Sequence, residues 1–242
     1  MEAMIFAAGL GTRLKPLTDY TPKALIKVGG EPLLKRLVDK MKDAGVTDIV
    51  VNVHHLADQI EQYITAQHQF GINVRISNER DCLLETGGGL KNAVPLFHGD
   101  RPILIHNVDI LSNVDLAVFY AQNCMYDATL LVSERETFRY LLFNDDNCLV
   151  GWTNIRTGEV KSPFPHLVVK SCRKYAFAGI HLFSPRLFPE MDVWKGKFSI
   201  VDFYLSICNR VKIHACVGSN LHLLDVGKQE TLIAAEEFIR TN

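Results

Sequence analysis

The sequence lacks an excess of either charge. Its 242 residues include 26 lysines and arginines and 27 aspartates and glutamates, which gives a formal net charge of −1. Proteins that bind nucleic acid or an anionic membrane surface usually carry a basic excess. The charge balance therefore argues against both of these partners and favours small-molecule ligands.

Paired cysteines and long apolar runs are also lacking. The six cysteines are scattered without a C-x-x-C pair, which argues against a zinc site or a disulfide framework and predicts reduced thiols in a cytoplasmic protein. No apolar run is long enough to cross a membrane. The apolar residues 4–10 follow an acidic residue and precede a glycine-rich loop, so they predict a first strand and not a signal peptide.

The first half of the chain alternates short apolar runs with amphipathic patterns. Strands are predicted at residues 3–8, 48–53, 72–77 and 103–107, and helices at 32–42, 56–69 and 116–123. This alternation predicts an α/β fold, a mostly parallel mixed sheet flanked by helices. Ligands bind beyond the carboxyl ends of such strands, so the loops after Ala8, Ser77 and Asn107 are expected to form one functional rim.

The second half is less regular. Strands are predicted at residues 127–133, 139–143, 148–152, 175–183 and 221–226, and helices at 199–209 and 229–240. Residues 157–171 contain one glycine and two prolines and are expected to form an exposed excursion. No linker divides the chain, so a single domain of residues 1–242 is predicted, with halves at 1–125 and 126–242.

The strongest chemical signal is the run AAGLGTRLKPLTDYTPK, residues 7–23. Gly9 and Gly11 follow the first strand directly, and glycine allows backbone N–H groups to approach a phosphate chain closely. Arg13 offers a guanidinium that suits phosphate oxygens, and Lys23 offers a compact positive charge. The G-x-G alone is better explained as a tight turn, so Arg13 and the Pro22-Lys23 pair carry the argument for a phosphate site.

Two other phosphate-binding motifs do not fit this loop. The Walker pattern G-x-x-x-x-G-K-[ST] is absent, and the dinucleotide fingerprint G-x-G-x-x-G fails because position 14 is leucine. The run L-G-T-R-x-x-P-L-T-x-x-x-P-K instead resembles the signature of the sugar-1-phosphate nucleotidyltransferases. Within this family, the chain most resembles compact bacterial enzymes that act on N-acetylmuramate 1-phosphate with UTP. The resemblance rests on the chain length, on the E-T-G-G-G segment at residues 85–89 and on D-V-G at residues 225–227.

The resemblance implies a Rossmann-like nucleotidyltransferase (GT-A-like) fold, with a nucleotide-binding first half and a sugar-binding second half. It implies an enzyme that joins a nucleoside monophosphate from an NTP to a sugar 1-phosphate with Mg²⁺ as cofactor. GTP with mannose or heptose 1-phosphate is the alternative substrate pair, and a homo-oligomer is compatible with the family.

The implied site residues fall into four groups. The nucleotide-binding group comprises Ala8, Gly9, Gly11, Thr12, Arg13, Lys23, Glu85, Gly87, Gly88 and Asn107. The catalytic group is Arg13, Lys23 and Asp109, the sugar-binding group is Ala178 and Gly179, and the metal ligands are Asp109 and Asp225. The glycines at 87–89 would let a base lie against the backbone, although a flexible loop is the alternative explanation.

The two aspartates also stand out from their positions alone. Asp109 and Asp225 each follow an apolar strand, so the fold could bring them to one rim, and Mg²⁺ prefers carboxylate and phosphate oxygens. Capping of the following turn or helix is the alternative role for each. Val108 departs from the family pattern, which has glycine in N-G-D, and this residue is expected to affect substrate identity more than chemistry.

Three other functions are compatible with parts of this sequence pattern. A nucleotide-sugar-dependent glycosyltransferase normally carries D-x-D, whereas this chain has Asn107, Val108 and Asp109 in that place. A non-catalytic nucleotide-sensing relative is favoured by Val108 but not by the retained glycines, cations and aspartates. A bifunctional enzyme with a hexapeptide-repeat acyltransferase is not expected, because the sequence given stops after the predicted helix 229–240.

Overall fold

The computed structural model describes residues 1–218 and 220–241. The strands are β1 (Glu2–Phe6), β2 (Lys27–Val28), β3 (Glu31–Pro32), β4 (Asp48–Val53), β5 (Asn73–Asn78), β6 (Ile103–Asn107), β7 (Ile110–Ser112), β8 (Ala128–Ser133), β9 (Arg139–Phe143), β10 (Leu149–Asn154), β11 (Glu159–Lys161), β12 (Arg173–Phe183), β13 (Ile213–Val217) and β14 (Leu223–Asp225). The helices are α1 (Leu17–Tyr20), α2 (Leu33–Asp43), α3 (Ala57–Ala66), α4 (Glu85–Ala93), α5 (Leu116–Asn123), α6 (Ile200–Ile207) and α7 (Glu230–Thr241).

The first half of the sheet is parallel and has its strands in the order β5-β4-β1-β6. The chain runs outward from β1 through β4 to β5 and then returns to the other side of β1 with β6. The crevice between β1 and β6 is therefore a topological switch point, where α/β sheets bind their ligands at the carboxyl ends of the strands. This order places the loops after β1 and β6 side by side.

The second half extends the same sheet with antiparallel strands. The long strand β12 pairs antiparallel with β6, β8 and β9, and β10 and β11 continue the sheet to its edge. Strand β13 pairs parallel with β8. The α/β class with a mixed sheet flanked by helices is thus confirmed.

Consecutive residues of a strand point to opposite faces of the sheet. Because both sets of side chains are apolar in the central strands, helices cover both faces. Ala3 and Ile5 of β1 belong to the core beneath α2, α3 and α5, whereas Met4 and Phe6 belong to the core beneath α4 and α6. The apolar positions of α2 recur at helical spacing and are buried, as the sequence pattern predicts.

Several elements were not predicted from the sequence, among them the short α1, β2 and β3. Residues 85–93 form helix α4 although they include three glycines, residues 110–112 form β7, and residues 213–217 form β13. Within the predicted excursion 157–171 the chain forms the short strand β11. None of the helices in residues 1–218 and 220–241 is both long enough and apolar enough to cross a membrane.

Candidate active site

A cavity of about 490 Å³ opens at the carboxyl ends of β1 and β6, and we call it the main cavity. It lies at the switch point of the strand order, so its position follows from the topology. The lining residues are Phe6, Ala7, Ala8, Gly9, Leu10, Gly11, Thr12, Arg13, Lys23, Asn52, Leu83, Glu85, Thr86, Asn107, Val108, Asp109 and Gly227.

The loop after β1 has the form of an anion-binding turn. Gly11 has φ +62°, and a Cβ at this position would lie 2.6 Å from Cγ2 of Thr18, so only glycine fits without strain. The Thr18 hydroxyl donates to the Gly11 carbonyl oxygen at 2.9 Å and fixes the turn. No acceptor in the described part of the chain takes the N–H groups of residues 9–11, so these donors are available to a ligand.

A pair of buried polar residues, not identified from the sequence, fixes the start of this loop. The Asn52 side-chain oxygen accepts from the N–H groups of Ala7 and Ala8 at 2.7 and 3.3 Å. Its amide nitrogen donates to the Glu79 carboxylate at 2.7 Å, and the Leu84 N–H donates to the other oxygen at 3.0 Å. Burial raises the pKa of Glu79, while the two donors oppose this shift. The polar Asn52 within the otherwise apolar strand 48–53 was the feature of the sequence that could have indicated this role.

Two cations pair with two carboxylates at the main cavity, which Arg13, Lys23 and Asp109 line and Asp225 adjoins through Arg13. The Lys23 ammonium forms an ion pair with Asp109, and the lysine is only 9% exposed. Arg13 Nη2 lies 3.9 Å from Asp225 Oδ2, and both side chains are about half exposed. A buried ammonium is stable only when a partner compensates its lost hydration, so Asp109 accounts for the position of Lys23.

The small sheet of β7 and β14 brings the two aspartates together. Asp225 ends β14 opposite Ile110 of β7, and the Val226 N–H donates to the Asp109 carbonyl oxygen at 2.8 Å. Asp109 itself lies in the turn after β6, two residues beyond the strand end. Burial raises the pKa of Asp225, and the negative charge of Asp109 raises it further. Two carboxylates in mutual repulsion suit a cation that both could contact.

Comparison with known proteins agrees with this geometry. The nucleotidyl transferase family model matches residues 2–139, more than half of the chain. The chain belongs to this family. The nucleotidyltransferase is 46% identical, over 97% of its length and 95% of the relative's, to the N-acetylmuramate alpha-1-phosphate uridylyltransferase of Caulobacter vibrioides. Over 95% of its length it is 24% identical to the D-glycero-alpha-D-manno-heptose 1-phosphate guanylyltransferase of Campylobacter jejuni. The chain is an enzyme of the sugar-1-phosphate nucleotidyltransferase type.

Solved structures agree on the fold. The nucleotidyltransferase superposes with a TM-score of 0.82 on a chain described as a glucose-1-phosphate thymidylyltransferase from Bacillus anthracis, which is 20% identical, with 100% of this chain and 96% of that one covered. It superposes with a TM-score of 0.75 on the inositol-1-phosphate CTP transferase from T. maritima, which is 14% identical, with coverages of 98% and 96%. At these identities the likeness shows the fold alone, and it confirms the Rossmann-like nucleotidyltransferase architecture.

The structure gathers most of the predicted nucleotide-binding residues of the nucleotidyltransferase around the main cavity. Gly87 and Gly88 are the exceptions, because they lie inside α4 and do not line it. Their N–H groups both donate to the Phe198 carbonyl oxygen, at 3.0 and 3.1 Å. A Cβ at Gly87 would lie 2.5 Å from the Phe198 ring. These glycines therefore allow α4 to pack closely against the segment before α6, which leaves Glu85 and Thr86 as the lining residues.

The predicted sugar-contacting pair lies behind the cavity wall of the nucleotidyltransferase. Ala178 is 1% exposed and belongs to the core. Gly179 has φ +75° in the irregular part of β12, and a Cβ there would lie 2.7 Å from Nδ2 of Asn107. In this conformation neither residue lines a cavity that we describe. Gly179 leaves room for the Asn107 side chain, which does line the main cavity.

Val108 occupies a position that borders two cavities. It lines the main cavity and also a second cavity between α2, β7 and α7, and it is 4% exposed. Its N–H donates to the Phe6 carbonyl oxygen at 3.1 Å and so continues the pairing of β6 with β1. The valine side chain therefore packs behind Asp109 and narrows the space that a glycine would leave.

Proposed function

We propose that this enzyme transfers a uridylyl group from UTP to N-acetylmuramate 1-phosphate in the cytoplasm, with Mg²⁺ as cofactor. The pairing of Lys23 with Asp109 and of Arg13 with Asp225 beside a glycine loop carries the proposal. This arrangement suits a substrate with several phosphates and a metal ion. The choice of UTP and N-acetylmuramate 1-phosphate is supported by the 46% identity to the Caulobacter enzyme over nearly the whole chain.

The reaction is a single in-line displacement. An ionised oxygen of the sugar phosphate attacks the α-phosphorus of UTP, a new P–O bond forms, and the bond to the β-phosphate oxygen breaks. Pyrophosphate leaves with that electron pair. Since the attacking oxygen is already anionic at neutral pH, no general base is required, and the protein contributes positioning and charge stabilisation.

Each part of the site has a distinct task in this displacement. The free N–H groups of residues 9–11 bind triphosphate oxygens, as such turns bind anions elsewhere. Arg13 stabilises the departing pyrophosphate by its exposed guanidinium, and Lys23 neutralises charge near the α-phosphate. Asn52 and Glu79 hold the first turn of the loop in place before any ligand binds.

The carboxylates of Asp109 and Asp225 would hold the Mg²⁺ ion. No group of three or more potential ligand side chains occurs in residues 1–218 and 220–241, but Mg²⁺ commonly uses one or two carboxylates with phosphate oxygens and water. The donor set and the mutual repulsion of the two carboxylates therefore fit this ion. When bound, Mg²⁺ supplies neutralisation of the phosphate charge.

A GTP-dependent mannose or heptose 1-phosphate guanylyltransferase is the second candidate. It is supported by the Campylobacter relative, which matches 95% of this chain, and by the mannose-1-phosphate guanyltransferase of Neurospora crassa, which is 37% identical over half of this chain. This second relative is longer, since the match covers 34% of it.

The test is pyrophosphate release from four NTPs, each combined with N-acetylmuramate, N-acetylglucosamine, mannose and heptose 1-phosphates, with Mg²⁺ or EDTA. We expect strong preference for UTP with N-acetylmuramate 1-phosphate, and loss of activity with EDTA. Asp109→Asn should lower turnover about 100-fold or more, whereas Asp43→Asn, an exposed control on α2, should retain activity. Preference for GTP would establish the second candidate, and normal turnover by Asp109→Asn would refute the metal assignment.

A further inference from the structure

A third cavity, of about 560 Å³, is lined by residues of the later half of the chain, and we call it the arginine cavity. Arg135 and Arg139 line one side of it, and Trp152, Phe177 and Asp202 are among its other lining residues. Arg135 lies in the connection between β8 and β9, Arg139 is the first residue of β9, and both are exposed. Lys161 adds a third cation, and Glu159 and Asp202 are the two lining carboxylates, so the cavity combines a small excess of positive charge with aromatic side chains.

The arginine cavity is linked to the main cavity by shared lining residues, through a neighbouring cavity between them. Ser199 and Asp202 line both this cavity and a shallow neighbouring one. Glu85 lines that neighbouring cavity and also the main cavity. On the other side, Arg135 donates to the Phe177 carbonyl oxygen at 3.3 Å, two residues before Gly179, which contacts Asn107 of the main cavity. A ligand at Asp109 could therefore extend into the arginine cavity.

In the part of the chain that the structure describes, neither Arg135 nor Arg139 forms a salt bridge, although the positive charge of Arg135 acts at longer range on the Asp225 carboxylate of the main site. Within residues 1–218 and 220–241, neither guanidinium has a carboxylate within 4.0 Å. Lys161, which also lines this cavity, is already paired with Asp202 at 3.0 Å and lies over the Trp152 ring. Two unpaired guanidinium groups beside a substrate cavity suit an anionic group of the substrate, and their planar fork matches a carboxylate.

We propose that Arg135 and Arg139 bind a carboxylate on the sugar itself, separate from its 1-phosphate. The inference rests on the proposed function, and it assigns the selection of the sugar to two residues. N-acetylmuramate carries a carboxylate on its lactyl ether, whereas N-acetylglucosamine is the same sugar without this ether. Mannose also lacks a carboxylate, so the two arginines would give no advantage to it.

The experiment compares kcat/KM for these two N-acetylated sugar 1-phosphates, with UTP held at saturation. The wild-type enzyme, Arg135→Ala, Arg139→Ala and both conservative lysine variants are measured. Arg210→Ala is the matched control, since Arg210 pairs with Glu190 and lines neither the main cavity nor the arginine cavity. Thermal melting of each variant checks folding, which exposed arginines should not affect.

We expect the wild type to prefer N-acetylmuramate 1-phosphate, and the ratio of the two kcat/KM values to fall about 10- to 100-fold in each alanine variant. This range corresponds to the loss of hydrogen bonds to a charged group. The lysine variants should retain part of the preference for N-acetylmuramate 1-phosphate, because lysine keeps the positive charge but cannot form the paired hydrogen bonds of a guanidinium. The Arg210→Ala ratio should equal that of the wild type.

Each contrary outcome points to a different error. Equal use of both sugars by the wild type would refute the carboxylate subsite while nucleotidyl transfer stands. A wild-type preference that both alanine variants retain would refute the assignment to these arginines. Turnover of neither sugar, with turnover of mannose or heptose 1-phosphate, would overturn the proposed substrate and the subsite together.

Discussion

Gly89→Ala should destabilise the protein, contrary to the usual effect of this change in a helix. Gly89 lies inside α4 and is buried. A Cβ there would lie 2.6 Å from Oε1 of Glu79 and 2.9 Å from Nδ2 of Asn52. These two atoms share the hydrogen bond that fixes the loop after β1. Neither side chain can move freely, since both are at most 3% exposed and hold further hydrogen bonds.

The expected magnitude is the difference of two effects. Replacing glycine by alanine within a helix ordinarily stabilises by about 0.5–1 kcal/mol. Displacing Glu79 from Asn52 costs about 1.5–3 kcal/mol, because a buried hydrogen bond to a charged group is lost. The net result is a loss of about 0.5–2.5 kcal/mol, or a fall in Tm of about 1–10 °C for a domain of this length. The KM for the NTP should rise, since Ala7 and Ala8 lose their anchor.

Urea denaturation of Gly89→Ala, Glu79→Asp and the double variant tests this reasoning. The shorter aspartate makes room for the new methyl group, so the double variant should lose less stability than the sum of the two single changes. A higher Tm for Gly89→Ala than for the wild type would refute the steric argument. Additive losses would show that the methyl group does not meet the carboxylate.

Three further predictions concern the site and the core. Arg13→Ala should lower kcat about 100-fold through loss of charge stabilisation and leave the KM for the sugar 1-phosphate nearly unchanged in steady-state kinetics; a selective rise in that KM would remove Arg13 from the pyrophosphate site. Val108→Ala should cost about 1–3 kcal/mol in urea denaturation and alter the relative use of the four NTPs more than kcat for the preferred pair; unchanged NTP selectivity would contradict its position at the cavity wall. His181 is 1% exposed, and burial lowers its pKa from 6.5 to about 3. The unfolded state therefore binds a proton first, and stability falls as the pH drops below 6.5, by about 2 kcal/mol from this group at pH 5. His181→Phe should give a shallower dependence of unfolding free energy on pH between 6.5 and 4, and an unchanged dependence would contradict the buried neutral histidine.

Sequence patterns were sufficient to predict the helices and strands whose formation depends on apolar periodicity within a short segment. The apolar periodicity of residues 33–41 predicts α2, and the apolar runs predict β1, β4 and β6. The glycine loop, Arg13 and Lys23 could be identified because phosphate chemistry requires such residue types close together in sequence. Asp109 and Asp225 could be proposed as neighbours because each follows a strand and because the family resemblance implies a shared metal site, but the β7–β14 pairing that joins them was not foreseen.

The remaining features depend on tertiary packing. Three glycines in a row argue against a helix by propensity, yet α4 forms because its glycines admit the Phe198 ring, Gly196 and the Glu79 carboxylate at close range. The link from Asn52 to Glu79 spans 27 residues and becomes visible only when β4 and β5 are paired. The sequence does not distinguish Arg135 and Arg139 from other arginines. Only the structure shows that they line a cavity and form no salt bridge among the residues it describes.

A ³¹P NMR time course with UTP, N-acetylmuramate 1-phosphate and Mg²⁺ tests the central claim most directly, because each phosphorus atom is observed separately. We predict that the triphosphate and sugar-phosphate signals decline together, while pyrophosphate and the diphosphate of a UDP-sugar appear in equal amounts. Formation of UDP and inorganic phosphate, or unchanged spectra at high enzyme concentration, would contradict the transfer of a uridylyl group by this site.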